Sequence, residues 1–267
     1  MPRPTRLLLA LRARLSALGD PERARGARAY MKSAMPFHGV GAVPLRAACR
    51  ELFSRLVLPD ADAFRREVLG LFRGAAFREE RYAAVELARW RGFARFRGLD
   101  FLPVCEEMVV TGAWWDVVDP IAAHLLGELL AKEPRATRRA MLAWARSDDL
   151  WKRRSAILCQ LGSRGETDPG LLFACIEPSL ASKEFFLRKA IGWALRQYAR
   201  ADPTEVSRYV AANAERLSPL SRREALKHVG RPPVRRDGGG SSTGPGSRPR
   251  RAGRASGPPG SPAPPSR

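Results

Sequence analysis

The sequence predicts an all-α solenoid, a curved stack of antiparallel helix pairs. Three observations predict it. Apolar residues recur at helical spacing through the first 230 residues with almost no strand-like alternation. Short breakers separate the helical runs, and prolines fall where helices begin.

Taken in order, Leu7 to Leu11 is an apolar run broken by Arg12 and Arg14. It falls far short of the ~20 residues of a membrane span and lacks a small-residue cleavage site, so the chain is expected in the cytoplasm, at the nucleoid. Leu52, Leu56 and Val57 sit at i, i+4 and i+5 and read as one helical run. Asp60 and Asp202 precede helical runs as N-caps, and Pro134, Pro169, Pro203 and Pro219 stand at helix starts, where a missing N–H costs little. About a dozen helices joined by loops of about 2–8 residues imply antiparallel neighbours. Several pairs recur at roughly HEAT-like length, without a strict repeat consensus. Stacked pairs of this kind curve and present a long concave surface.

Residues 1–230 read as one folded domain. From Arg231 the sequence becomes RPPVRRDGGGSSTGPGSRPRRAGRASGPPGSPAPPSR, with one Val and no other large apolar side chain. Such a segment cannot bury enough surface to offset its ordering entropy, so 231–267 is expected to be a disordered basic tail. It is either a nonspecific tether to DNA or a dispensable extension.

The formal charge of +20 comes from 41 Arg and 6 Lys against 27 acids. A GC-rich genome accounts for the Arg/Lys ratio but not for the size of the charge, which is the footprint of a polyanion binder. A protein-interaction scaffold would need an acidic partner to use it. Cys49, Cys105, Cys159 and Cys175 are widely spaced, with no C-x-x-C pair and no clustered His, and read as buried reduced thiols with no metal site. The chain has no Gly-rich P-loop and no carboxylate cluster for Mg²⁺, which disfavours a kinase or a nuclease.

Three segments carry candidate chemistry. In Trp114-Trp115-Asp116-Val117-Val118-Asp119, Trp115 and Asp119 are i and i+4 on one helix face, while Val117, Val118, Ile121 and Ala122 supply the core side. In Asp148-Asp149-Leu150-Trp151-Lys152-Arg153-Arg154, either Asp can cap. A basic run at a helix start opposes the macrodipole, which phosphate contact would justify for Arg153 and Arg154. In Phe185-Phe186-Leu187-Arg188-Lys189-Ala190-Ile191-Gly192-Trp193, a core stripe of Leu187, Ile191, Leu195 and Tyr198 stands beside a second stripe of Phe186, Lys189 and Trp193. Such a stripe fits a helix that lines a groove, with Gly192 allowing close approach. Each feature alone has an ordinary packing or capping explanation. Together they fit one reaction. A purine alkylated at N3 or N7 is cationic and leaves as a neutral base without a general acid. One carboxylate and indole π-faces then suffice to stabilise the oxocarbenium-like sugar and to direct water.

On the stretches AYMKSAMPFHGV, TGAWWDVVD, SDDLWKRRSAILCQL, KEFFLRKAIGWALRQYA and LSPLSRREALKHV, spanning about residues 28–229, the chain resembles the HEAT-like-repeat alkylpurine DNA glycosylases, the AlkD-type DNA alkylation repair enzymes. The resemblance implies a C-shaped monomeric solenoid that grips duplex DNA and removes 3-methyladenine- and 7-methylguanine-like lesions without a cofactor. It also implies that the base is not flipped into a pocket, unlike the general glycosylase pattern. Carried onto this chain, Trp115 and Trp193 wall the lesion-bearing deoxyribose, and Asp119 stabilises the sugar cation and positions water. Arg154 holds the backbone, and Tyr30 contributes to the same groove. Gly41-Ala42-Val43-Pro44 departs from the family pattern in lacking polar DNA-contacting side chains, which bears on grip of the undamaged strand and not on chemistry. The resemblance leaves open bulky adducts, self-resistance, and a catalytically silent DNA-structure binder.

Overall fold

Sequence punctuation sets most of the helix boundaries in the computed structural model, which describes residues 4–229. Among the described residues there are no strands and fourteen α-helices. The first five are α1 (Arg6–Ala17), α2 (Pro21–Met31), α3 (Ala42–Phe53), α4 (Ala61–Arg73) and α5 (Arg78–Ala88). Next come α6 (Leu102–Gly112), α7 (Trp115–Pro120), α8 (Gly127–Lys132), α9 (Pro134–Ala145) and α10 (Leu150–Leu158). The chain then runs through α11 (Pro169–Ile176), α12 (Phe185–Tyr198), α13 (Pro203–Ala212) and α14 (Pro219–Ala225). The tail expected from residue 231 lies outside the described residues.

The caps agree with the sequence. Asp60 accepts from the Ala63 amide at 2.7 Å and Asp202 from the Glu205 amide at 2.8 Å. Pro134, Pro169, Pro203 and Pro219 each occupy the first position of their helix. The run through Leu52, Leu56 and Val57 is a correction: α3 ends at Phe53, Leu56 packs on the core from a loop, and Val57 is 87% exposed. After the Ser54 C-cap the amides of Arg55 and Leu56 bond three residues back, to the Leu52 and Phe53 carbonyls at 3.4 and 3.2 Å, so the chain tightens into turns and leaves the helix before its apolar spacing runs out.

Successive helices stack as a solenoid around one continuous core that runs from Leu8 to Ala225. The four cysteines are free and buried, and burial pushes the Cys49 and Cys175 thiols up to about 12. No helix of the described residues is long and apolar enough to cross a membrane. Gly41-Ala42-Val43-Pro44 forms the start of α3, with Gly41 as its N-cap.

Two features position the candidate site. A helical rod runs from Trp115 to Lys132, with a π-helical turn over Ile121–Leu126 directly after Pro120. Pro120 contributes no amide to the helical ladder, which loosens the hydrogen bonding where the wider turn begins. Farther along, α12 and α14 approach closely at Gly192, where a Cβ would stand 2.6 Å from Glu224 Cβ.

Candidate functional site

Ala113 ends α6 in the left-handed region at φ 42, and Trp114 then adopts extended backbone. This reversal aims the next residues into a new helix. The Trp114 carbonyl accepts from the amides of Val117 at 3.1 Å and Val118 at 3.0 Å, starting α7. The helix places Trp115 and Asp119 one turn apart on the same face, as their spacing predicts. Val117, Val118, Ile121 and Ala122 are fully buried on the other side.

Asp119 meets Arg154 of α10. Arg154 Nε donates to Oδ1 at 2.7 Å and Nη2 to Oδ2 at 2.8 Å, a bidentate pair. The Asp119 side chain keeps 13% of its surface and that of Arg154 only 4%. Burial pushes the Asp119 carboxyl above its ordinary range, opposed by the charge and hydrogen bonds of Arg154, with Asp116 adding a further upward push. The carboxylate is thus largely desolvated, with a small part of the side chain still reaching solvent.

Arg154 is committed elsewhere too, since its Nη1 donates to the Phe186 carbonyl at 2.5 Å. The sequence places this residue at a helix start as a phosphate contact. In the free protein its guanidinium is occupied by α7 and α12, and the α10 start is capped by Asp149, which accepts from the amides of Trp151 at 2.9 Å and Lys152 at 2.8 Å. Three of its five N–H groups are used within the protein, and the side chain is almost wholly buried. Arg153 lies on the neighbouring face, its Nε donating to Ser179 Oγ at 3.1 Å.

The second stripe of α12 divides. Phe186 joins Trp114 and Trp151 in a cluster of rings and lies beneath Arg154, whose Cζ is 5.9 Å from the ring centroid. Lys189 pairs with Glu224 of α14 at 3.3 Å, and Arg196 reaches the same carboxylate at 2.6 Å. Trp193 is partly buried against the core, two turns or ~10 Å along α12 from Phe186. Gly192 accommodates the backbone of α14, so the close approach expected there is between two helices. Tyr30 sits near the end of α2, about half exposed.

The structure therefore joins the three candidate segments directly through Asp119, Arg154 and Phe186. It also shows partners that sequence reasoning missed. Asp116 is gripped by Arg78 at 3.0 and 2.5 Å and accepts from the Tyr82 hydroxyl, anchoring the first turn of α7 to α5. Burial and the Asp116 charge both push the Tyr82 phenol above its ordinary range. Trp114 completes the ring cluster. Its adjacency to Trp115 is the available signal, but nothing in the spacing says which rings it meets. An open cleft of about 700 Å³, lined by Arg89, Arg91, His124, Arg138 and Asp168 among others, includes none of these site residues.

Comparison with known proteins adds the family. The model of the family described as DNA alkylation repair enzyme matches residues 11–229. No curated protein matches the sequence. Among solved structures, a protein described as a predicted DNA alkylation repair enzyme from Enterococcus faecalis is similar with a TM-score of 0.72 and 28% identity. The match covers 80% of this chain and 98% of that one.

Proposed function

The chain belongs to the DNA alkylation repair enzyme family, and from that premise we propose that it is a monofunctional DNA glycosylase acting on cationic N3- and N7-alkylated purines in duplex DNA. The observation that carries the proposal is Asp119. It is a carboxylate held in a desolvated setting by Arg154, with 13% of its side-chain surface still exposed and Trp115 a single helical turn away on the same face.

An alkylated purine already bears the positive charge that makes it a good leaving group. Departure of the neutral base leaves a cationic deoxyribose. Asp119 stabilises that charge more strongly in a low-dielectric site than it would in water, and it orients or deprotonates the water that completes hydrolysis. The indoles of Trp115 and Trp193 present π-faces to the same cation. Arg154 and Arg153 beside it hold the phosphate next to the lesion, while Phe186, Lys189 and Tyr30 border the groove. The basic chain supplies affinity for any duplex, and the site supplies the choice of lesion. The proposal includes action as a monomer at the nucleoid, with residues 1–230 as the working domain.

A second reading, a catalytically silent DNA-structure binder, draws on the Asp119–Arg154 pair, because a neighbouring cation offsets part of the charge the reaction needs. Release of free base from a duplex bearing one 7-methylguanine separates the two. The glycosylase releases base at single turnover and the silent binder retains the intact duplex. Salt-dependent affinity for an undamaged duplex is expected in both cases and would be missing from a protein scaffold.

A further inference from the structure

Trp114 closes a triangle of rings drawn from three parts of the chain. Its ring centroid lies 5.9 Å from that of Trp151 in α10 and 5.3 Å from that of Phe186 in α12, and those two are 5.1 Å apart. The Trp114 indole N–H is buried without a hydrogen-bond partner. A buried donor left unmade costs stability, and a phenylalanine or leucine at this position would avoid it. The indole is held by its ring contacts, tilted at 51° to Trp151 and edge-on at 64° to Phe186.

The triangle lies on the same circuit as the candidate site. The Trp114 carbonyl starts α7, which carries Asp119. Asp119 is clamped by Arg154, Arg154 donates to the Phe186 carbonyl, and the Phe186 ring meets Trp114 edge-on. A shift of Phe186 would therefore move the acceptor that fixes the third arm of Arg154, and with it the clamp on Asp119.

We propose that Trp114 is a positioning residue for base excision: by packing tilted against Trp151 and edge-on against Phe186 it fixes the Phe186 carbonyl, the Arg154 guanidinium and thus the Asp119 carboxylate in one register. The proposal rests on the glycosylase reading above. Trp114 acts through its neighbours, in contrast to Trp115 at the lesion.

The test uses the full chain with Trp114→Phe, which keeps a ring, and Trp114→Leu, which removes it. One readout needs no chemistry: the NMR signal of the Arg154 Nε–H in DNA-free protein, identified by its loss in Arg154→Lys, with its exchange protection. The other is single-turnover release of 7-methylguanine alongside the dissociation constant for the same duplex. Trp114→Phe should keep both readouts within about twofold, whereas Trp114→Leu should lose the protection and about 10- to 100-fold in rate, as small misplacements do. Its affinity should stay near that of the wild type, and the acid limb of its rate profile should move to higher pH as Arg154 loosens its hold on Asp119. A folded Trp114→Leu with wild-type signal, rate and pH profile overturns the proposal. Where Trp114→Leu does not fold, Phe186→Leu removes the same contact from α12 and is read by the Arg154 signal in DNA-free protein alone, since Phe186 also borders the groove: retained protection overturns the proposal and lost protection supports it. A wild type that releases no base defeats the glycosylase reading instead, and the Arg154 signal still decides the positioning claim.

Discussion

Arg154 closes two arms of its guanidinium on Asp119 across 35 residues of sequence, at 2.7 and 2.8 Å, and spends a third arm on the Phe186 carbonyl. This one side chain ties α7, α10 and α12 together at the place where the sequence locates its chemistry. Because both partners are nearly buried, each replaces part of the hydration the other has lost.

Arg154→Ala should therefore strand a buried carboxylate. The expected cost is about 3–5 kcal/mol, the range seen when one partner of a buried ion pair is removed. Urea unfolding monitored by tryptophan fluorescence reads it. A loss below about 1 kcal/mol would class the pair with exposed salt bridges instead.

Glu80 predicts the acid response of the fold. Burial raises its carboxyl, but hydrogen bonds from Arg12, His38 and the amides of Ala76 and Phe77 outweigh that and bring it from 4.5 to about 2. A carboxyl lowered in the folded state contributes stability above its unfolded value and loses it as pH falls through the folded one. About 3 kcal/mol should disappear between pH 4.5 and 2. Denaturation curves across that interval should slope more steeply for the wild type than for Glu80→Gln, and parallel slopes would remove Glu80 from the account.

Gly192→Ala tests the contact between α12 and α14. The added methyl would meet Glu224 Cβ at 2.6 Å and the Ser221 carbonyl oxygen at 3.1 Å. Overpacking of this kind costs about 1–3 kcal/mol, more than the gain in helix propensity of ~1 kcal/mol at most. A thermal midpoint equal to or above the wild type's would show that α14 yields freely.

Trp193→Ala should lower single-turnover excision partially, by about tenfold or 1.4 kcal/mol, because one of two aromatic walls remains. Affinity for an undamaged duplex should change little. Equal excision by the variant and the wild type would remove Trp193 from the site.

Much of the fold is legible in the sequence, and the exceptions share a cause. Helix starts are local events, so Asp60, Asp202 and the four prolines announce themselves in the sequence. The common face of Trp115 and Asp119 follows from helical spacing alone. What the sequence does not disclose is which distant groups meet. Nothing local says that Arg154 turns to Asp119, that Lys189 pairs with Glu224 of α14, or that Gly192 makes room for a helix. Glu79 shows the same limit. Its carboxylate gathers the amides of His38, Gly39 and Val40 at 2.9, 2.8 and 3.1 Å, and Gly39 holds a φ of 82 to let that loop form. The helical spacing at Leu56 and Val57 misleads for a different reason, because apolar periodicity continues past Phe53 while the backbone has already turned out of the helix at Ser54 and Arg55.

The most direct measurement is single-turnover release of free base from a duplex carrying one 7-methylguanine, with wild type, Asp119→Asn and no protein run side by side. The wild type should release base. Asp119→Asn should lose at least about 10²-fold in rate while binding the duplex as well or better, because its missing charge served the transition state and repelled phosphate. Release by Asp119→Asn at the wild-type rate would contradict the central claim.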